Sequence, residues 1–332
     1  MRVLVAGGAG FIGSNFVRHA LRDLGWEVLV YDMLTYAGRL ENLHDVLSDL
    51  QFVRGDIADE EKLSSVVDSF RPDVVVNFAA ETHVDRSINE PAPFIKTNVL
   101  GLFTILEVLR RRRGIQLVHV STDEVYGDLW GTDEEASEDR PLRPSSPYSA
   151  SKAAGDMLVM AYGRTYGIGY RIVRPCNNYG PYQHPEKLIP RTIIRLAHGK
   201  PAVIYGDGQQ VRDWLYVEDC ARAIASVIRR GEDGEIYNIC AQDYRTVREV
   251  VELVARLMGR DPSQSIVHAR PRPGEDRRYA MRCDKVRKLG WSPAEGFESG
   301  LRKTVNWYQS NEWWWRPLVA RDWSYILADT PW

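Results

Sequence analysis

The sequence is poor in cysteine and has no pattern that would hold a metal. Its 332 residues include only four cysteines, Cys176, Cys220, Cys240 and Cys283, with no Cys-x-x-Cys pair and no histidine at zinc-binding spacing. This scatter excludes a zinc finger and a small disulfide-rich scaffold, and it is typical of reduced thiols in a reducing compartment. We therefore predict four free thiols and no metal site.

The sequence also lacks a long hydrophobic run and an excess of charge of either sign. No apolar stretch reaches the ~20 residues that a transmembrane helix needs, and residues 2–6 have strand character rather than that of a signal peptide. The 43 basic and 45 acidic residues give a net charge of -2, which argues against binding to nucleic acid or an anionic membrane. We expect a cytoplasmic protein with no nucleic-acid or membrane partner.

The chain does have the composition of a globular protein and an alternating pattern of strands and helices. Hydrophobic residues make up 44% of it and charged residues 27%. Residues 2–6 and 27–31 form apolar strand patterns, and residues 11–24 between them have the apolar spacing of a helix. Because the alternation continues with nearly continuous β-branched runs, we predict an α/β fold with a doubly wound, Rossmann-like parallel sheet.

The regular pattern weakens near residue 176, which predicts a second, smaller α/β region. We assign residues 1–175 to the first domain, and residues 176–216 and 241–332 to the second. The helix and strand predicted within residues 217–240 are regular enough to return to the first sheet. The chain is long enough to bury the core of two closely joined domains.

Three glycines between the first strand and the first helix indicate a dinucleotide site. Gly7, Gly10 and Gly13 stand where a tight turn brings the helix N-terminus to a pyrophosphate, and Asp32 ends the second strand. A carboxylate there binds ribose hydroxyls and repels a 2′-phosphate, so we predict NAD rather than NADP. Further predicted cofactor contacts are Phe11, Ile12, Thr35, Asp56, Ile57, Ala79 and Ala80. The alternative is a nucleotide fold that keeps the glycines only for packing.

Tyr148 and Lys152 form a Tyr-x-x-x-Lys pair at the predicted start of a helix. At this spacing both side chains lie on one helix face, so the ammonium can lower the pKa of the phenol from about 10 and make it a usable base. The pair occurs by chance in many helices, but here it accompanies the dinucleotide motif. We predict that both residues are catalytic and that both contact the cofactor.

Three polar residues, Thr122, Asp123 and Glu124, follow a strand predicted at residues 117–121. Oxidation alone would need only a hydroxyl donor such as Thr122 beside the tyrosine. Two adjacent carboxylates in a cleft suggest a further proton-transfer pair, one acid and one base, as the elimination of water requires. Residue type alone leaves an alternative equally open, in which the aspartate only caps a turn or helix.

The motifs together are similar to those of the dTDP-glucose 4,6-dehydratases, a family of the extended short-chain dehydrogenase/reductase superfamily. The resemblance covers nearly the whole chain and includes GGAGFIG, DMLTYAG, AAETHVDRSI, STDEVYGD, YSASK, NNYGPYQHPEKLIP, VRDWLYVED and RPGEDRRY. It implies an NAD-dependent lyase in which Tyr148 deprotonates the glucose 4-hydroxyl while Thr122 supports that oxygen. Glu124 would then remove the C5 proton, and Asp123 would protonate the departing 6-hydroxyl to give a 4-keto-6-deoxy sugar.

The adjacent Asp and Glu after the threonine distinguish this family from its relatives. Nucleotide-sugar epimerases and decarboxylases of the superfamily share the glycines and the Tyr/Lys pair but usually lack both carboxylates. An enzyme of that kind is the alternative function. A non-catalytic NAD-binding module would have no reason to keep Tyr148, Lys152, Asp123 and Glu124 together.

The resemblance also implies which residues bind a nucleoside-diphosphate glucose. Besides Thr122, the matching positions are Asn178, Glu186, Lys187, Leu188, Tyr205, Arg212, Asn238 and Arg272. Guanidinium groups pair two oxygens at once, so the arginines are the physical choice for the diphosphate. The chain departs from the family pattern at Glu275, which replaces a His and is expected to point away from the phosphate. It departs again at Arg39, which replaces an Asn.

The resemblance further implies a homodimer formed through the helices at residues 92–110 and 148–166. The chain ends in an aromatic segment, because seven of its ten tryptophans follow residue 290, including Trp313, Trp314 and Trp315. A carbohydrate-stacking platform is one interpretation. Large apolar side chains at a chain end favour packing against the body of the protein.

Overall fold

A computed structural model describes residues 1–271 and 274–327 of the chain. The strands are β1 (Arg2–Ala6), β2 (Glu27–Asp32), β3 (Gln51–Arg54), β4 (Val74–Asn77), β5 (Gln116–Val120), β6 (Tyr170–Pro175), β7 (Asn177–Tyr179), β8 (Ala202–Tyr205), β9 (Val211–Tyr216), β10 (Glu235–Ile239), β11 (Tyr244–Thr246) and β12 (Ile266–Ala269).

The α-helices are α1 (Phe11–Arg22), α2 (Glu60–Phe70), α3 (Val84–Asn89), α4 (Ala92–Phe94), α5 (Leu102–Arg110), α6 (Pro147–Tyr166), α7 (Leu188–Ala197), α8 (Val217–Arg230), α9 (Val247–Leu257), α10 (Pro262–Ser265), α11 (Asp284–Lys288), α12 (Phe297–Ser310), α13 (Glu312–Arg321) and α14 (Trp323–Ile326). A π-helical stretch, Ile95–Gly101, joins α4 to α5, and short 3-10 helices cover Leu40–Leu43, Leu47–Asp49 and Asp123–Tyr126.

Seven strands form one parallel sheet in the order β10-β6-β5-β4-β1-β2-β3. Alternate residues of β1 face opposite layers: Val3 and Val5 pack with α1 and α8, while Leu4 packs with α2 and α5. A sheet covered by helices on both faces buries each strand completely, which is why its strands read as continuous apolar runs. The predicted doubly wound, Rossmann-like fold is confirmed.

The order of the strands reverses between β1 and β4, and this places the functional cleft. From β1 the chain moves first towards β2 and β3, then crosses to β4 and continues in the other direction. In open parallel sheets, ligands bind where the loops after two such strands separate. Gly7 follows β1 and Ala79 lies just beyond β4, so both belong to this crevice.

A second region with its own apolar core covers the carboxyl edge of the sheet. It contains a three-stranded sheet, β11-β9-β7, a strand pair, β12-β8, and the helices α7, α9, α12 and α13. Trp314 and Trp315 of α13 are buried in this core, which confirms packing for these two residues, whereas Trp313 is exposed. Strand β10 lies beside β6 at the edge of the large sheet, although β7 to β9 separate the two in sequence.

Two of the four cysteines are paired. Cys240, directly after β10, and Cys283, directly before α11, form a disulfide with Cα atoms 5.8 Å apart. The prediction of four free thiols is therefore wrong for this pair, while Cys176 and Cys220 are free and buried. The partners are 43 residues apart in sequence and meet only because the segment before α11 packs against the end of β10, so local spacing carried no signal.

Candidate active site

Tyr148 and Lys152 lie on the buried face of α6. The helix begins at Pro147 because Ser146 caps it, its hydroxyl accepting the Ser149 N–H while the Ser149 hydroxyl accepts the Ser146 N–H. One turn apart, the phenol and the ammonium both reach the carboxyl end of β5. The ammonium of Lys152 donates a hydrogen bond to the carbonyl oxygen of the last residue of β5, Val120, over 2.6 Å.

Burial governs the ionisation of this pair. It raises the pKa of the Tyr148 phenol, and the charge of Glu124 raises that pKa further, whereas a hydrogen bond with Thr122 lowers it. Burial also lowers the pKa of Lys152 to about 8, and the nearby Asp156 carboxylate opposes that fall. The expectation of a lowered tyrosine pKa is thus wrong for this structure, because burial is the largest influence on the phenol.

Thr122, and not Asp123, caps the short 3-10 helix that follows β5. The Thr122 hydroxyl accepts the Glu124 N–H at 3.3 Å and donates to Asp123 Oδ1 at 3.2 Å, so the threonine caps the short 3-10 helix. Asp123 Oδ2 is buried and has no hydrogen-bond partner within residues 1–271 and 274–327. The interpretation of Asp123 as a structural cap therefore has no support.

Asp123 and Glu124 have different surroundings although they are adjacent. Asp123 is 4% exposed, and burial together with the charge of Glu124 raises its pKa to about 8, against the opposing effects of Arg212 and Thr122. Glu124 is only partly buried. A carboxyl group that holds its proton near neutral pH beside a second carboxyl is the arrangement by which an acid and a base can act together.

One cavity of about 300 Å³ collects the predicted catalytic and cofactor residues. Its wall includes Gly7, Gly10, Phe11, Ile12, Gly13, Asp32, Thr35, Asp56, Ile57, Ala79, Ala80, Thr122, Asp123, Glu124, Tyr148 and Lys152. Residues from five strand ends thus meet in one place, as the reversal of strand order requires.

The glycine-rich loop and the start of α1 fit a dinucleotide. A Cβ on Gly7, whose φ is +76°, would lie 2.4 Å from the Ala79 nitrogen, and a Cβ on Gly13 would lie 2.4 Å from the Gly7 oxygen. Helix α1 has no side-chain cap at Gly10 and no acidic residue in its first turn. Its first N–H groups are therefore available to a pyrophosphate. These residues would hold the diphosphate of NAD, and Asp32 would hold its adenosine ribose.

Asp32 also organises the loop around it. Its Oδ2 accepts the Ala9 N–H at 2.9 Å and its Oδ1 accepts the Leu34 N–H at 2.8 Å, while burial raises the pKa of the carboxyl. A carboxylate has about four acceptor positions, so both oxygens can still accept ribose hydroxyls.

A larger cavity of about 420 Å³ continues from the first. The two share Thr82, Glu124, Asn177, Glu186 and Lys187. Of the predicted substrate residues, Glu186, Lys187, Leu188, Tyr205 and Arg212 line the larger cavity, while Thr122 and Asn178 line the smaller one. The Arg212 guanidinium lies over the Tyr279 ring, 4.3 Å from its centre, and donates to the Asp276 carbonyl.

Comparisons with known proteins agree with this arrangement. Residues 4–304 match the family described as GDP-mannose 4,6 dehydratase. A Mycobacterium tuberculosis protein named dTDP-glucose 4,6-dehydratase is 49% identical over 322 residues, which cover 96% of each chain. The chain belongs to the dTDP-glucose 4,6-dehydratase family.

Solved structures extend the family relationship to the fold. The dTDP-glucose 4,6-dehydratase DesIV of Streptomyces venezuelae, with NAD and dTDP bound, superposes with a TM-score of 0.92 at 46% identity, covering 96% of this chain and 100% of that one. The UDP-glucose 4-epimerase of Thermus thermophilus, in complex with NAD, superposes with a TM-score of 0.87 at 37% identity, covering 94% and 100%. The dehydratase family thus shares its fold with epimerases, and the site residues must separate them.

Asn238 and Glu275 are placed differently from what the dehydratase resemblance implies. Asn238 lines neither cavity: its side chain accepts the Tyr126 hydroxyl at 2.7 Å and donates to the Ala136 and Arg282 carbonyls, so its expected substrate contact is corrected to a structural role. Arg272 lies outside the described residues. Glu275 was expected to point away but lines the larger cavity, because the Gln210 amide donates to it at 2.9 Å.

Sequence reasoning missed several cavity residues of this dehydratase. Asn177 lies where the two cavities meet, and its buried Oδ1 has no hydrogen-bond partner in the described parts of the chain. Tyr279 and Ser145 line the larger cavity and both donate to the Asp276 carboxylate. Asn177 stands in a quoted motif beside Asn178, which also lines the smaller cavity, but no periodicity in that segment indicates that both side chains face the cleft.

Asp32 should make the enzyme selective for NAD. We expect NADP to bind stripped protein at least about 10-fold more weakly than NAD, because its 2′-phosphate would meet a buried carboxylate and lose ribose hydrogen bonds. Calorimetric titration with both cofactors measures the ratio. Asp32→Asn removes the negative charge without changing the size of the side chain, so it should reduce the ratio of NAD affinity to NADP affinity. Equal affinity of the unmodified protein for both cofactors would contradict the assigned ribose contact.

Proposed function

We propose that this protein is an NAD-dependent hydro-lyase that converts dTDP-glucose to its 4-keto-6-deoxy product. The observation that carries the proposal is the Asp123–Glu124 pair on the cavity wall beside Tyr148. Burial keeps a proton on Asp123, whose pKa is raised to about 8, next to a second carboxyl group. A simple sugar oxidoreductase would need neither group, whereas loss of water needs one acid and one base.

Each side chain acts on one atom of the sugar. When bound, NAD would accept a hydride from C4 and return it to C6 after water has left, so the net reaction is a dehydration with no net oxidation. Tyr148, as the phenolate, takes the proton of the 4-hydroxyl while the Thr122 hydroxyl holds the same oxygen. The positive charges of Lys152 and of bound NAD would favour the phenolate, against the burial that raises its pKa. The 4-ketone acidifies C5, from which Glu124 takes a proton. Asp123 then gives its proton to the 6-hydroxyl, which leaves as water, and Glu124 returns its proton to C5 as the hydride reaches C6.

The larger cavity suits the nucleoside diphosphate. Arg212 offers a guanidinium fork on its wall, and its charge reaches Asp123, whose pKa it lowers. The diphosphate would therefore lie within electrostatic range of the acid that serves C6. Tyr205 is a buried residue on the wall of the same cavity and accepts a hydrogen bond from Arg191 at 3.0 Å. The dTDP bound by DesIV supports thymine as the base.

The second candidate is a nucleotide-sugar 4-epimerase, which the similarity to the Thermus enzyme brings forward. Epimerisation at C4 needs no proton for the 6-hydroxyl and no base for C5. It leaves unexplained why Asp123 is buried with a raised pKa and an unpartnered Oδ2 among the described residues. We therefore favour the dehydratase.

Mass spectrometry of the product tests the proposal. Purified protein with NAD should convert dTDP-glucose to a product lighter by one water, and UDP-glucose should react more slowly. An epimerase would give a product of unchanged mass that chromatography separates from the substrate. Unchanged mass with a new retention time would overturn the dehydratase and establish the second candidate.

We also propose a homodimer formed through the stretch Ala92–Arg110 and helix α6. Apolar side chains on this surface are exposed in the single chain: Ile95, Leu100, Phe103, Met157 and Tyr166. Soluble proteins rarely leave such contiguous apolar surface uncovered. A second copy of the chain, packed helix to helix, would cover it.

The same stretch is the one described segment long and apolar enough to cross a membrane, but 56% of it is buried inside the protein. A helix that packs into the core on one side cannot face lipid all round. Its remaining exposed face fits a protein partner better than a bilayer. The cytoplasmic location rests on the sequence alone and stays a prediction.

Leu100→Glu should break the dimer. Leu100 is 54% exposed in the single chain, and a carboxylate in an apolar interface would be buried without a partner. We expect dimer affinity to fall at least about 100-fold, as for a central interface residue. Light scattering after gel filtration measures the mass. Leu47→Glu, at an exposed leucine after β2, is the matched control and should leave the mass unchanged; equal behaviour of the two variants would contradict this interface.

A further inference from the structure

The C-terminal helix α13 is bonded to the loop that follows β2. Trp314 is 1% exposed, and its indole N–H donates to Asn42 Oδ1 over 2.7 Å. Its backbone carbonyl accepts the Arg39 guanidinium at 3.0 Å. One tryptophan thus holds two residues of the same loop, through its side chain and its main chain.

The same loop residues bind the glycine-rich turn on their other side. The Asn42 side-chain amide donates to the Ala9 carbonyl oxygen at 2.7 Å, and the Arg39 N–H donates to that oxygen at 3.0 Å. The Ala9 N–H in turn donates to Asp32 at 2.9 Å. A continuous path of hydrogen bonds therefore runs from α13 to the glycine-rich turn and on to the carboxylate of Asp32, which is assigned to the ribose of NAD.

Ala9 is where this path can affect cofactor binding. The peptide group between Ala9 and Gly10 lies directly before α1. Gly10 is the N-cap of that helix, and the first turn of the helix lines the smaller cavity. Two donors on one carbonyl oxygen fix the plane of that peptide, and the plane sets the direction of the N–H groups that follow. Ala9 itself is fully buried, so it is held from outside the cavity.

We propose that Trp314 is a positioning residue for NAD, which acts through Asn42 to hold the Ala9 peptide in the orientation that receives the pyrophosphate. The proposal rests on the assignment of the smaller cavity to NAD. Affinity for the cofactor then depends on a side chain near the end of the chain that lines neither cavity.

Trp315 separates this role from packing. It belongs to the same apolar core, is 2% exposed, and its indole N–H donates to a backbone carbonyl, that of Tyr308, at 2.8 Å. That bond stays inside the C-terminal helices. Trp315→Phe therefore removes the same kind of buried hydrogen bond as Trp314→Phe, without touching the loop after β2.

Calorimetric titration of stripped protein with NAD, without substrate, compares the two variants. Trp314→Phe should weaken NAD about 3- to 10-fold, the effect of one buried hydrogen bond. Trp315→Phe should lower the melting temperature about as much as Trp314→Phe does, but it should leave NAD affinity unchanged. Unchanged affinity in Trp314→Phe, or an equal loss in both variants, would overturn the proposal.

Asn42→Ala alone, which should also weaken NAD, keeps the proposal testable if Trp314→Phe folds poorly, and a double-mutant cycle tests whether the two residues act along one path. Asn42→Ala removes the middle of the path, so adding Trp314→Phe to it should weaken NAD by less than about 2-fold more, roughly the limit of additivity errors. Fully additive losses would show that the residues act separately and would overturn the proposal. Unmodified protein that bound no NAD would overturn the cofactor assignment as well, which distinguishes the two failures.

Discussion

Tyr148→Phe is expected to stop the reaction before any other step, with turnover lowered by about 10⁴-fold, the upper end for one general base. Tyr148 is the cavity phenol that is hydrogen-bonded to Thr122, and loss of its oxygen leaves the 4-hydroxyl without a proton acceptor. Single-turnover absorbance of NADH after mixing with dTDP-glucose measures this first step directly. No absorbance should develop.

Tyr162→Phe is the matched control for this experiment. It removes a phenol from the same helix. The Tyr162 hydroxyl donates a hydrogen bond to Glu107 over 2.7 Å, and the residue lines neither cavity. Turnover should stay within about 2-fold of the unmodified enzyme. Formation of NADH by Tyr148→Phe at an unchanged rate would show that another group is the base.

Asp123→Asn is expected to slow the loss of the 6-hydroxyl by about 10²–10⁴-fold, the effect of removing one general acid. Oxidation at C4 should persist, so NADH should accumulate in a single turnover instead of passing through a maximum. The protonation of Asp123 also predicts the direction in which activity changes with pH. Because burial raises the pKa of Asp123 to about 8, the group holds its proton below that pH and loses it above. Activity of the unmodified enzyme should fall as pH rises through about 8, where Lys152 also loses its proton, and Asp123→Asn should lack the part of that fall that belongs to Asp123.

Glu124→Gln separates the base from the acid at nearly equal size. It should also oxidise C4, but the C5 hydrogen should no longer exchange with deuterium from the solvent. Asp123→Asn should keep that exchange, since its base is intact. If both variants released product at rates close to the unmodified enzyme, the carboxylates would not serve elimination, and the epimerase would become the better function.

Features that depend on nearby residues could be predicted from the sequence. Gly7 and Gly13 are required by a turn whose neighbours lie 2.4 Å from any added Cβ, and that turn stands directly between a strand and a helix. Tyr148 and Lys152 are one helical turn apart, so their shared face follows from spacing alone. The parallel sheet follows from uninterrupted apolar strands, which both of its faces demand.

Features that depend on distant segments could not be predicted. Asn238 matches a substrate position by resemblance, but three partners from other segments consume its polar atoms. Glu275 faces the larger cavity because Gln210, 65 residues away, holds it there. The Tyr148 pKa differs from the sequence-based expectation for a related reason: charge partners are visible in a motif, whereas the depth of burial depends on the whole fold.

The position of β10 has a consequence for how the chain is made. β10 completes the large sheet beside β6, and α8, just before it, covers α1, whose N-terminus faces the dinucleotide cavity. A ribosome must therefore deliver residue 239 before the sheet has its last edge and α1 its cover. By then β7 to β9 have already emerged. Domains that are continuous in sequence can fold one after another during translation. In this chain the crevice for the cofactor and the walls of the sugar pocket must therefore fold together.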